Sequence, residues 1–493
     1  MRLQVEAIEF YEAPYRLRLP FRFGVVTVTE GVQVFVQVRI RLASGARSTG
    51  YAAEALAAKW FDKRPHLSDE DNRDQLRLSL AMVRDTYLAL PMLNAFDVHA
   101  YIYHHALNVG AKADLPALVS SYGMALIDRA IVDALCRSLR INFVDAVQHN
   151  VLGLRSDTGL TPDLKGFDIS AWLRTQQPRS TLQVRHTIGL LDPITPDDVA
   201  PEDAVLDGLP HTLQDVIACY GHRYFKIKIS GQPQADLLRL RRIAQVLDSS
   251  AAPYHVTLDG NEQFIDAACF ADWWQQACAE PQLQRLTSST LFIEQPLHRQ
   301  CALHTEVPRQ HSGTPWIIDE SDGDMHSFLQ AVALGYQGVS TKSCKGIYKS
   351  LLNAARCVHH SRHRSAPLFM SAEDLTMQPG TALQQDLALV SLLGITHVER
   401  NAHHYIHGFN GQPAEDAQAF ALAHPDLYTD SADGPRLRIT QGQLPTHSCL
   451  QAIGFGSAIA PSVQHMQRSI LAGVQEPTPQ TPFRPFDPLR SAH

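Results

Sequence analysis

No C-x-x-C pair occurs among the eight cysteines of this chain, from Cys136 to Cys449, which argues against a zinc ribbon or a disulfide framework. They read as reduced packing residues. Basic residues are not in excess either: 43 Lys and Arg stand against 50 Asp and Glu, a formal net charge of -7, so nothing electrostatic favours nucleic acid or an anionic membrane. Long apolar runs are missing as well. The opening stretch "MRLQVEAIEFYEAPYRLRL" scatters charges where a signal peptide or anchor needs an apolar segment, so a cytoplasmic protein is expected. What remains is 493 residues, 45% hydrophobic and 19% charged, enough for a large core and two or three domains or one large barrel with additions. A small-molecule partner is the default for such a chain.

The beginning alternates. In "GVQVFVQVRIRL" Val32, Val34, Val36, Val38, Ile40 and Leu42 share one face of an antiparallel strand, opposite Gln33, Gln37, Arg39 and Arg41. Two loops, "FRFGVVTVTE" and "GYAAEALAAKWFDKRP", interrupt this region. Helical spacing follows in 68–90, with Ser68 as N-cap, and in 125–140. Residues 1–140 therefore read as a small α+β domain, 141–181 as a linker or insertion, 182–402 as a β/α region and 403–493 as a C-terminal segment. Within 182–402, eight short apolar runs ("LQVRHTIGL", "YFKIKIS", "HVTLDGN", "LFIEQPL", "WIIDES", "GVSTKSC", "LFMSAED", "HVERNA") alternate with amphipathic stretches such as "QADLLRLRRIAQVLDSS". Regular β-then-α repetition requires a parallel sheet, and eight units predict a closed barrel.

In "YFKIKIS" Lys226 and Lys228 share one strand face. The outer face of a parallel barrel packs on helices and must be apolar, so both ammonium groups point inward. The same alternation turns Asp259 and Asn261, Glu294, Asp319 and Lys342 inward, each near the carboxyl end of its strand. Three carboxylates from three successive strands suit one hard divalent cation, most simply Mg²⁺, with Mn²⁺ as the alternative. Lys228 and Lys342 come from strands two and six, across an eight-strand ring. A cation that binds a carboxylate stabilises the charge left when the adjacent carbon loses its proton. A lysine lowered in pKa by desolvation and by a like charge, here Lys226, can take that proton.

These motifs, "KIK", "DGN", "EQP" at Glu294, "DES" at Asp319 and "TKSCKG" around Lys342, one per strand and in order, resemble the enolase superfamily, in particular its muconate-lactonizing-enzyme-like branch. The resemblance implies a modified (β/α)8 barrel of the (β/α)7β kind, capped by an N-terminal α+β domain whose loops close over substrate. It further implies Mg²⁺ on Asp259, Glu294 and Asp319, acid/base lysines at Lys228 and Lys342, and an enolate intermediate. It is close over 220–400, looser over the first 140 residues, and departs in 141–181, in "DPITPDDVAPEDAVLDGLPH" and in the tail. "DGPRLRITQGQLP" looks like the strand pair with which the family returns to its cap, and "QEPTPQTPFRPFDPLRSAH" like an extended proline-rich arm. "LFMSAED" lacks the histidine of the mandelate racemase branch, which favours lysine chemistry.

Other polar residues carry two readings. Lys59, Trp60 and Lys63 reach the substrate from a closing loop or pack and solvate the cap, and Thr27 and Thr29 divide evenly in the same way. Glu373 and Glu399 read a substrate group or make salt bridges, with function favoured for Glu373. Lys345 reads as a solvated loop residue, and Glu320 as either a lysine partner or solvent-facing. Among 24 histidines, His359, His360 and His363 end a helix and His403, His404 and His407 follow the last strand, so a solvated or oligomer-facing role is expected rather than a second metal site. The sequence thus predicts a homo-oligomeric, Mg²⁺-dependent racemase or epimerase acting on a small carboxylate. Dehydratase and cycloisomerase chemistry, or a binding or structural protein on the same fold, are the alternatives. A metal-dependent hydrolase, with only His186 and His255 as candidate ligands, ranks last.

Overall fold

The computed structural model describes residues 1–308, 313–362 and 364–469; His363 and the proline-rich stretch 475–493 lie outside these. Three antiparallel strands open the chain, β1 (Leu3–Phe23), β2 (Val26–Leu42) and β3 (Arg47–Ala55). The alternation seen in the sequence buries Val34, Val36, Val38, Ile40 and Leu42 beneath three helices, Asp69–Ala89, Ala95–Lys112 and Tyr122–Leu139. Ser68 caps the first of these in a reciprocal capping box with Asp71. The third helix lies tight against β3, since a Cβ on Gly50 would sit 2.2 Å from the Ala130 carbonyl oxygen.

The eight apolar runs all become strands of one barrel: β4 (Thr181–Ile188), β5 (Tyr224–Lys228), β6 (His255–Asp259), β7 (Thr290–Glu294), β8 (Trp316–Ile318), β9 (Gly338–Thr341), β10 (Phe369–Ala372) and β11 (His397–Arg400). Each pairs in parallel with the next, and β11 pairs in parallel with β4 to close the ring. Phe225, Ile227, Val256, Leu258 and Ile293 face the surrounding helices in one apolar cluster.

Several expectations change. "FRFGVVTVTE" is no loop: β1 and β2 run on as a two-stranded ribbon whose ladder still pairs Phe23 with Val26, because Gly24 supplies the left-handed turn (φ 51°). The first half of the second expected loop is strand β3. Residues 141–181 are no slack tether, since Leu152, Leu160, Leu164 and Leu173 are buried in the same core as the opening helices. In the tail, Gln443–Pro445 adds antiparallel to barrel strand β4, and it is Gln467–Arg468 that returns to β1. Among the described residues no helix is long and apolar enough to cross a membrane.

Candidate active site

The carboxyl ends of the barrel strands open into a cavity of about 300 Å³, roofed by the β1–β2 ribbon and by residues 56–60. Phe21, Phe23, Leu56 and Trp60 supply apolar walls; Lys226, Lys228, Asp259, Asn261, Asp319 and Lys342 lie at its floor. The last residue of β5 is Lys228, of β6 Asp259 and of β7 Glu294, while Asp319 and Lys342 come one past β8 and β9. Strands five and nine are separated by four steps in both directions round the ring, so Lys228 and Lys342 approach from opposite sides.

Lys228 Nζ lies 2.6 Å from Asp259 Oδ2 and Lys342 Nζ 2.5 Å from Asp319 Oδ2. Lys342 also stacks over Trp60, 4.3 Å from the ring centroid. Burial alone would push the Lys342 ammonium down, but Asp319 outweighs this and holds it above its ordinary value. Asp319, in turn, is held well below the usual carboxylate range, burial being overcome by Lys342 and Lys345.

Lys226 stands differently from the expectation of a lone like charge beside Lys228. Its Nζ lies 2.7 Å from Glu294 Oε2 and Glu373 Oε2 and 2.9 Å from Asp259 Oδ2 and Glu399 Oε2. Four carboxylates overcome the burial penalty and keep this ammonium charged. Glu373 itself is fully buried between Lys226 and Arg185 beneath the cavity floor, so the salt bridge, not contact with a substrate, describes it. Glu399 does line the cavity, while also accepting from Thr187 at 2.5 Å.

The cap residues separate as well. Lys59 turns away: with φ 63° it directs its ammonium to the Leu67 and Arg64 carbonyls, outside the cavity. Thr27, Thr29 and Trp60 line the cavity. Lys63 latches the cap loop to the barrel, 2.5 Å from Glu262, 3.3 Å from Glu320 and 3.0 Å from the Asn261 carbonyl. Arg299 completes the latch by holding both Glu262 oxygens and the Trp60 and Phe61 carbonyls at 2.7–2.8 Å. Burial would raise the Glu262 carboxyl, but Arg299 and Lys63 bring it down to about 2. Glu320 is therefore a lysine partner and does not face solvent.

Lys345 corrects the solvated-loop expectation. The 3-10 turn Ser343–Lys345 swings it back under β9, where it is 3% exposed, 2.9 Å from Asp319 Oδ1 and 2.7 Å from Ser340 Oγ. Arg185 was also missed, although the alternation of "LQVRHTIGL" already points it inward with Thr187. Arg73 and Asp374 line the cavity too, without a motif to mark them.

Asp259, Glu294 and Asp319 suit a hard divalent cation. All three offer oxygen from adjacent strand ends, and the buried Glu294 Oε2 accepts no well-oriented hydrogen bond although Lys226 is near. Burial, Asp259 and Glu373 push the Glu294 carboxyl well up against the opposing Lys226, the signature of crowded negative charge.

No family model and no curated protein matches the sequence. Solved structures do match over nearly the whole chain. The muconate lactonizing enzyme of Mucobacterium smegmatis, complexed with muconolactone, aligns at TM-score 0.58 and 17% identity, covering 94% of this chain and 100% of that one. A dipeptide epimerase from Enterococcus faecalis V583, complexed with Mg and L-Leu-L-Tyr, aligns at 0.57 and 14%, covering 92% and 99%. The L-Ala-D/L-Glu epimerase of Bacillus subtilis aligns at 0.54 and 15%, covering 92% and 98%. This is the fold of the enolase superfamily. At such identities the likeness extends to the capped barrel of the superfamily, and the chemistry rests on the side chains described above.

Proposed function

We propose that the protein abstracts the proton α to a carboxylate in a small substrate, as a member of the enolase superfamily, and returns it from the other face as a racemase or epimerase. The observation that carries this reading is the opposition of Lys228 and Lys342 across the cavity floor, each paired with a carboxylate, Asp259 or Asp319, with Glu294 buried on the strand between those two. Asp259, Glu294 and Asp319 are the ligands we assign to Mg²⁺, which when bound neutralises the substrate carboxylate and makes the α-proton more acidic. Lys228 and Lys342, on opposite sides, are the pair we assign to removing the proton and returning it, each held by one carboxylate, Asp259 or Asp319. Lys226 and Glu373 take no part in proton transfer. They hold the carboxylates in place, Lys226 by bonding four of them and Glu373 by bridging Lys226 to Arg185. Trp60 and the ribbon residues Phe21 and Phe23 exclude water and bound the substrate's apolar part.

The three solved structures fit this reading, two being epimerases and one a lactonizing enzyme. Incubation with Mg²⁺ in D₂O and a library of N-acyl amino acids, dipeptides and sugar acids tests it. A compound that gains one deuterium with the native protein, and none with Lys228→Ala, supports it. Loss of water from a compound replaces it with a lyase reading, and no exchange in any α-proton-bearing carboxylate of the library counts against proton abstraction.

A further inference from the structure

A second cluster of titratable side chains lies on the other side of the barrel wall. Along β4, Arg185 and Thr187 face inward, so His186 faces outward. His222, just before β5, and His403, in the short helix Ala402–Tyr405 that follows β11, fold against it from either side of the seam where the last strand meets the first. The three rings are 2%, 1% and 8% exposed. His186 Nδ1 and His403 Nε2 are 3.3 Å apart, and one nitrogen from each of the three rings lies within 4.8 Å of the others. Tyr220 closes the cluster, its ring centroid 5.2 Å from that of His403 and 5.6 Å from that of His222.

These nitrogens are poorly served by the protein. Nδ1 of His403 is buried without a hydrogen bond, and the two ring nitrogens of His222 have between them only a contact of poor geometry with the Val184 backbone. Each such group costs about 1–3 kcal/mol of desolvation unless something binds it. A cation that takes one nitrogen from each ring gives His222 the partner it lacks and replaces the 3.3 Å contact between His186 and His403. Ligand nitrogens about 2.0–2.1 Å from zinc stand roughly 3.3 Å from one another, the separation already present between His186 and His403. The remaining pairs, within 4.8 Å, close to that separation by side-chain rotations that move the nitrogens by up to about 1.5 Å. A fourth imidazole, His404, has its ring centroid 5.1 Å from that of His186.

We propose that His186, His222 and His403 form a binding site for one zinc-class divalent cation, separate from the carboxylate site and independent of the reaction assigned above. Imidazole nitrogen without carboxylate selects Zn²⁺ or its neighbours Co²⁺, Ni²⁺ and Cu²⁺ over Mg²⁺. Burial keeps the rings in the neutral, ligating form, with His222 brought down to about 3 against weak opposition from the Val184 backbone. The bound ion ties residues more than two hundred positions apart, and so clips the barrel where β11 and β4 close it. Its role is structural, since none of the three histidines lines the cavity of the reaction centre.

The test is metal content by mass spectrometry after equilibration of the full-length protein with Zn²⁺ in excess Mg²⁺, followed by desalting. His222→Gln, His403→Gln and Asp319→Asn proteins are treated alongside. The native protein and Asp319→Asn are expected to keep about one Zn²⁺ per chain, and both histidine variants to fall at least about tenfold. Zinc absent from the native protein, or retained equally by the histidine variants, overturns the proposal; zinc lost only in Asp319→Asn overturns it in favour of the carboxylates. Should the histidine variants fail to fold, the Co²⁺-loaded native protein decides. Intense visible absorption of tetrahedral Co²⁺ supports the site, and the weak absorption of octahedral Co²⁺ alone refutes it.

Discussion

The two faces of β4 look onto two clusters built on opposite plans. Inside the barrel, every carboxylate of the proposed metal site is within 3 Å of an ammonium group, so negative and positive charge compensate at short range. Outside, four buried imidazoles with no carboxylate among them stay neutral, each held well below the ordinary histidine value by burial. The inner cluster is expensive to break and cheap to complete, because removing one charge strands its partner. The outer one is uncharged, so losing a ring that binds nothing costs little more than its packing. Charge in a barrel interior is thus a sign of use, whereas buried histidine becomes informative only through the partners it lacks.

Four changes probe this contrast. Lys228→Ala is expected to slow α-proton exchange by about 10²–10⁴-fold with circular dichroism unchanged, measured by deuterium incorporation. Retained exchange would move the base to another group. Lys226→Met removes the ammonium shared by four carboxylates and should lower stability by about 3–5 kcal/mol at pH 7 in urea titrations, with partial recovery on acidification as the carboxylates protonate. A neutral outcome would mean that the inner cluster is not self-compensating. Glu262 links stability to pH. Its carboxyl falls from 4.5 in the unfolded chain to about 2 in the fold, so its contribution is complete above pH 4.5 and drains away as pH drops toward 2. Glu262→Gln should flatten that acid limb, and an unchanged limb would assign it to other carboxylates. The smallest effect is expected for His404→Leu, under about 1.5 kcal/mol by thermal melting, since an uncharged ring is exchanged for an apolar side chain of similar bulk.

How much the sequence disclosed follows the same division. Strand periodicity sufficed to find all eight barrel strands, and inward alternation sufficed to bring Lys226, Lys228, Asp259, Glu294 and Asp319 together, because period two leaves no freedom over which face a residue takes. Residues beyond strand ends were not legible. Lys345 depends on a 3-10 turn that reverses it toward Asp319, Lys59 on a left-handed backbone that turns it away, and His403 on a four-residue helix folding back over the outer wall. Each is a local backbone decision that no hydrophobic pattern encodes. Glu373 shows a further limit: its place at the end of the seventh strand was legible, yet depth within the barrel, which decides between substrate contact and salt bridge, is not written in a period of two.

The long first strand deserves a mechanical reading. Its start, with Leu3, Val5 and Phe10, is anchored in the core, and its end, with Phe21 and Phe23, walls the cavity. Between them the β1–β2 register breaks once, from Arg16 to Phe21. The roof is nevertheless held on both sides of the break: Arg18 bonds Asp207 and the His404 carbonyl, Phe21 packs 4.4 Å from the Tyr405 ring, and the Arg22 carbonyl accepts from the Leu190 N–H. The ribbon is thus a bridge with two abutments, and a load on Phe23 is passed to the barrel through Tyr405 and Asp207 as well as back along the strand, leaving only the exposed turn at Val25 outside the span.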